Sequence, residues 1–125
     1  MKYLLLIYGD EAAMESYIGN ATPEQRDAQV KVWYDYGDWL TGRGWYVAGD
    51  ALQSTSTATS VRAPHGTPVV TDGPFAETKE QLGGYYILDV ANLDEAIEAA
   101  AACPGATFGT IELRPIRDFP ARPES

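Results

Sequence analysis

The stretch Leu82-Gly83-Gly84-Tyr85-Tyr86-Ile87-Leu88-Asp89-Val90, followed closely by Asn92-Leu93-Asp94-Glu95, decides the fold. An aromatic-rich apolar run of this length, bounded by glycine before it and a helix cap after it, predicts an interior β-strand. Its glycine pair predicts a bulge or a close backbone approach. Asn92 and Glu95 have the spacing of a capping box, so the strand leads into an Ala-rich helix that runs to about Ala102. Cys103-Pro104-Gly105 stops that helix. From Thr107 to Arg114 the chain alternates, with Ile111 and Leu113 on one face and Glu112 and Arg114 on the other, which predicts a last strand.

Toward the N-terminus, Asp72-Gly73-Pro74-Phe75 reads as a tight turn. Before it, Thr67-Pro68-Val69-Val70-Thr71 is strand-like, and Pro68 places it at an edge. The connection Ala63-Pro64-His65-Gly66 joins it as a hairpin to the Ser/Thr-rich residues 54–62. Trp45-Tyr46-Val47-Ala48-Gly49 predicts another strand. Thr22-Pro23-Glu24-Gln25 opens a helix of roughly 20 residues, since Thr22 and Gln25 can cap each other and Pro23 gives up no needed N–H. Val32, Trp33, Tyr36 and Leu40 are its apolar repeat, and Gly42-Arg43-Gly44 its stop. Residues 10–21 are small and polar and predict a loop with one short turn. Lys2 to Tyr8 forms a continuous apolar run, a strand buried on both faces. The order is a ferredoxin-like βαββαβ plan with an extra hairpin: an α+β fold with one antiparallel sheet and two helices on one face.

The 125 residues make a single domain, residues 1–118, with an extended tail over 119–125. Hydrophobic residues at 45% and charged residues at 22% exclude a disordered chain. Nine Lys+Arg against eighteen Asp+Glu leave a net charge of −9, so neither nucleic acid nor an anionic membrane is an expected partner. No stretch approaches the roughly 20 apolar residues of a membrane span. The first strand lacks a small-residue cleavage site, and Cys103 is the one cysteine. Both features fit a cytoplasmic protein in a reducing compartment.

Two helices leave one sheet face uncovered. Tyr3, Tyr8, Trp45, Tyr46, Tyr85 and Tyr86 all fall on predicted strands and on both parities. The expected solution is a homodimer packed sheet against sheet; the alternative is that these rings pack under helices and loops.

Asp72 is the candidate catalytic residue: a carboxylate at a strand end can act as a general base, although an Asx-turn uses the same residue. Phe75, Glu77, Lys79, Tyr85 and Tyr86 are the candidate ligand-binding residues. Phe75 is a pocket wall or a loop anchor, and Lys79 can bind an anionic group. Glu77 and Lys79 also fit a solvated loop, and Tyr85 and Tyr86 point to opposite faces. Asp10 and Asp50 each follow a glycine; they fit a carboxylate cluster with Asp72 or simple capping. One Cys and one His do not make a zinc site, and Gly83-Gly84 is no phosphate-binding fingerprint, so no cofactor or metal is expected.

Residues 71–86, Thr-Asp-Gly-Pro-Phe-Ala-Glu-Thr-Lys-Glu-Gln-Leu-Gly-Gly-Tyr-Tyr, resemble the signature of the YCII-related proteins of the DGPF type. The resemblance extends from Lys2–Tyr8 through Ala91–Ala96 and Cys103–Ala106 to Ile111–Ile116. It implies a bacterial protein with the fold of the dimeric α+β barrels, from a family largely without assigned activity. It further implies a possible small-molecule ligand or, as the alternative, an accessory role beside an extracytoplasmic-function sigma factor. The YciI-like relatives carry a His and an Asp facing a cleft. Here the one histidine, His65, lies in the hairpin connection, so that acid/base pair is not carried over.

Overall fold

The computed structural model describes residues 1–124. The elements are β1 (Lys2–Gly9), α1 (Glu11–Asn20), α2 (Pro23–Gly42), β2 (Tyr46–Ala51), β3 (Thr59–Arg62), β4 (Val69–Asp72), β5 (Gln81–Asp89), α3 (Leu93–Ala102) and β6 (Thr110–Pro115). Four strands form an antiparallel sheet in the order β2-β5-β1-β6, the ferredoxin-like arrangement. β3 and β4 pair separately as the expected extra hairpin.

Local chemistry sets the boundaries. The Thr22 hydroxyl accepts from the Gln25 amide at 3.2 Å while the Gln25 side chain accepts from the Thr22 amide at 2.9 Å, so α2 opens on the anticipated capping box. Gly44 closes that helix with φ +74°, in the left-handed region. Asn92 caps α3 by accepting from the Glu95 amide at 3.0 Å, but the Glu95 carboxylate reaches one residue farther back, to the Ala91 amide. The glycine pair does produce a bulge: β1 and β5 pair Ile7 with Gly84 and then Tyr8 with Leu82, skipping Gly83.

Residues 10–21 depart from the expected loop. They form a third helix, α1, capped by the Asp10 carboxylate on the Ala13 amide at 3.1 Å. Met14, Tyr17 and Ile18 recur at helical spacing, but this short stripe stays exposed and none of the helix's residues is buried. Two strands are also displaced. β2 starts and ends later than expected, and Pro104–Thr107 is a short helical turn, so β6 begins only at Thr110.

The core lies between the sheet and the helices α2 and α3. Tyr3, Leu5 and Leu88 from the sheet meet Tyr36 and Leu40 of α2, with Ala96 and Ala99 of α3. Each fully buried leucine contributes about 1.5–3 kcal/mol of transfer free energy. Arg43 lies 4.8 and 4.9 Å from the Trp39 and Trp45 rings and pairs with Glu98 at 2.8 Å, tying the end of α2 to β2 and α3.

Side chains alternate along β1, so Leu4, Leu6 and Tyr8 face away from the helices. Leu4 lies opposite Ile87 and Arg114, and Leu6 opposite Tyr85 and Glu112, which leaves that face largely apolar at its centre. The strand aromatics divide between the two sides. Tyr3 and Trp45 are buried in the core and Tyr86 packs against it, while Tyr8 and Tyr85 belong to the open face.

Candidate ligand-binding cleft

A cleft of about 800 Å³ opens beside the core, roofed by α1 and walled by one face of α2. α2 supplies Trp33, Tyr34, Gly37, Asp38 and Thr41, which recur at helical spacing on the flank next to its core stripe. α1 supplies Glu11, Met14, Glu15 and Ile18. The sheet supplies Ile7, Gly49, Gly84 and Tyr86. Leu52 and Phe108 also line it.

The roof is fastened at its N-terminal end. The Glu11 amide donates to the Gln81 side chain at 3.0 Å, and the Glu11 carboxylate accepts from both the Thr55 amide and the Thr55 hydroxyl. Gly49 is required by the space around it. A Cβ there would lie 2.5 Å from Cδ1 of the Tyr86 ring and 3.0 Å from the Tyr85 carbonyl oxygen.

Tyr86 is held by aromatic contacts. Its ring meets Tyr36 edge-on at 5.4 Å and Tyr46 at 6.1 Å. No hydrogen bond engages its hydroxyl among the described residues. Partial burial pushes its pKa up to about 12, so the phenol is neutral and can both donate and accept a hydrogen bond. Deeper in, the Tyr36 hydroxyl donates to the Ala99 carbonyl at 2.6 Å and burial raises its pKa strongly. Burial also raises the Cys103 thiol, which keeps it protonated and supports the expected packing role rather than a nucleophile.

The sequence candidates fall in three places. Tyr86 lines the cleft. Tyr85, on the open sheet face, donates to the Asp50 carboxylate at 2.8 Å, and that hydrogen bond raises its pKa. Asp72, Phe75, Glu77 and Lys79 are exposed at the end of β4 and in the segment leading to β5, outside the cleft of their own chain. Phe75 is 93% exposed and anchors nothing within the chain. The turn after Asp72 is held instead by Gly73, whose amide donates to the Ala58 carbonyl at 2.7 Å and whose carbonyl accepts from the Ser60 hydroxyl at 2.7 Å.

Asp10 acts as a helix cap and Asp50 as the acceptor for Tyr85, so neither joins a carboxylate cluster with Asp72. Among the described residues, no group of three His, Cys, Asp or Glu side chains is placed to hold a metal ion. Sequence reasoning missed Met14, Glu15, Gly37, Asp38 and Gly49. The available signal was the second helical stripe of α2, which runs beside the apolar one.

The chain matches the family described as the YCII-related domain over residues 1–120. An uncharacterised protein of Rhizobium meliloti (strain 1021) is 34% identical over 123 residues, covering 93% of this chain and 92% of that protein. The solved structure of 5-chloro-2-hydroxyhydroquinone dehydrochlorinase (TftG) from Burkholderia phenoliruptrix AC1100, in complex with 2,5-dihydroxybenzoquinone, has a TM-score of 0.52. It covers 95% of this chain and 96% of that one at 11% sequence identity, a likeness of fold.

Proposed function

The chain belongs to the YCII-related family, and from that premise we propose that it is a small-molecule-binding protein whose site is the cleft beneath α1. One observation carries this reading: Tyr86, a half-buried phenol whose ring packs over Gly49 and whose hydroxyl has no hydrogen-bond partner among the described residues, forms part of the wall of a cleft of about 800 Å³. Cavities of roughly 300–1,000 Å³ with apolar walls and few polar groups are the usual form of a small-molecule site. The walls favour a flat, ring-containing molecule, because Trp33, Tyr46, Tyr86 and Phe108 offer aromatic surfaces. TftG, named for its action on a chlorinated hydroquinone, makes a single aromatic ring a reasonable first probe.

Acid/base chemistry is the reaction class that these side chains support. Tyr86 supplies a neutral hydrogen-bond donor, and Asp38 is a carboxylate in the same cleft. The working assembly in this reading is a homodimer that covers the open sheet face at Leu4, Leu6 and Ile87. The exposed Asp72–Lys79 segment then becomes a contribution to the second copy, with Phe75 gaining the cover it lacks in its own chain.

Native mass spectrometry of freshly purified protein, alone and with resorcinol added, tests the proposal. The expected spectrum is a dimer that takes up one adduct per chain, and Tyr86→Phe weakens uptake by about 1 kcal/mol, the ordinary worth of a hydrogen bond. A monomer overturns the sheet-to-sheet assembly. Uptake that is identical in Tyr86→Phe removes Tyr86 from the site.

A further inference from the structure

The charge inside the cleft is one-sided. Its lining includes the acidic residues Asp10, Glu11, Glu15, Asp38 and Asp50 and no Lys, Arg or His; Asp10 caps α1 and Asp50 accepts from Tyr85. Glu11 is occupied by Thr55, whereas Glu15 and Asp38 have no hydrogen-bond or ion-pair partner among the described residues. Both free carboxylates are exposed on residues that line this space, which is also lined by Trp33, Tyr34 and Tyr86, and an aromatic ring face carries the negative lobe of its quadrupole. An anion entering this space meets like charge and finds no cation to pair with. A cation finds carboxylates on two helices and aromatic rings in the same lining, the combination that recognises organic ammonium groups.

We infer that the cleft selects organic cations, specifically amines or quaternary ammonium compounds carrying an aromatic ring, over anions of the same shape. This rests on the reading of the cleft as the ligand site and adds its substrate class. In this reading the ring packs against the aromatic lining that includes Trp33 and Tyr86, with the charged group toward Glu15 and Asp38.

Three probes of similar shape and different charge separate the possibilities: benzyltrimethylammonium, benzyl alcohol and benzoate. Calorimetric titration of the intact protein at low salt should give affinity in that order, with about tenfold or more between the cation and the anion. Added salt should narrow the gap, because these carboxylates are solvent-accessible. The double variant Glu15→Gln/Asp38→Asn should lose most of the preference for the cation while its thermal melt matches the parent's. That second readout distinguishes a charge effect from damage to the fold. Benzoate binding as well as the ammonium compound, or a preference unchanged in the double variant, overturns the inference and leaves the cleft standing as a site. Failure of all three probes to bind overturns the cleft reading and the inference together.

Discussion

The two flanks of α2 do different work with similar residues. On one flank Tyr36 and Leu40 are buried against Leu5 and Leu88, and the Tyr36 hydroxyl is satisfied by the Ala99 carbonyl. On the other, Trp33, Gly37, Asp38 and Thr41 look into an open cleft whose far wall, α1, buries none of its residues. Close packing makes the first flank intolerant of change, since any lost methylene leaves a void. The second has space where the first has contacts. The difference teaches that one helix can carry the stability of the domain on one side and leave the other facing an open cleft.

The contrast breaks most sharply on volume. Leu40→Ala should cost about 2–5 kcal/mol in a denaturant titration, the usual range for a leucine truncated in a packed core. Asp38→Asn, two residues away on the cleft side, should stay within about 0.5 kcal/mol of the parent. Equal costs would mean that the cleft flank is packed as well. Gly49→Ala should fall between these, at about 1–3 kcal/mol, because its Cβ would overlap the Tyr86 ring and nearby backbone leaves little room to relax. It should also displace Tyr86 and weaken aromatic probes, which ties the cleft's shape to a single missing side chain. Asp10→Ala removes the cap of α1 and should cost about 1 kcal/mol. The loss should show as faster amide exchange confined to residues 11–20.

The smallest effect is in alkaline pH. Tyr86 titrates at about 12, above the ordinary tyrosine value of 10.0. Its contribution is full below that ordinary value, where the phenol is neutral in both folded and unfolded chains. As pH rises toward the folded value the unfolded chain ionises first, and stability falls. Tyr86→Phe should flatten part of that decline between pH of about 10 and 12 in thermal melts.

The sheet was legible because its signals are local. The Thr22–Gln25 box, the Asn92 cap and the Gly83-Gly84 pair each announce one backbone event, and the structure places each where the residues indicate. α1 was missed although Asp10 is a good cap and Met14, Tyr17 and Ile18 keep helical spacing, because that stripe is short, is interrupted by polar and small residues, and stays exposed. The cleft was harder still. Its walls come from residues 7 to 108, and individually Met14, Gly37 and Gly49 look ordinary. The conspicuous Asp72-Gly73-Pro74-Phe75 segment drew attention to a projecting turn, whereas of the six candidates only Tyr86, on a strand chosen for its aromatic character, reached the cleft.

The most direct test uses the tryptophans on either side of that divide. Trp33 lines the cleft, and Trp45 lies in the core, 6% exposed. Indole N–H resonances can be followed by nuclear magnetic resonance while benzyltrimethylammonium is added. The account predicts that the Trp33 signal moves and saturates while the Trp45 signal stays in place. A Trp33 signal that does not respond, or a shift shared equally by both, would contradict it.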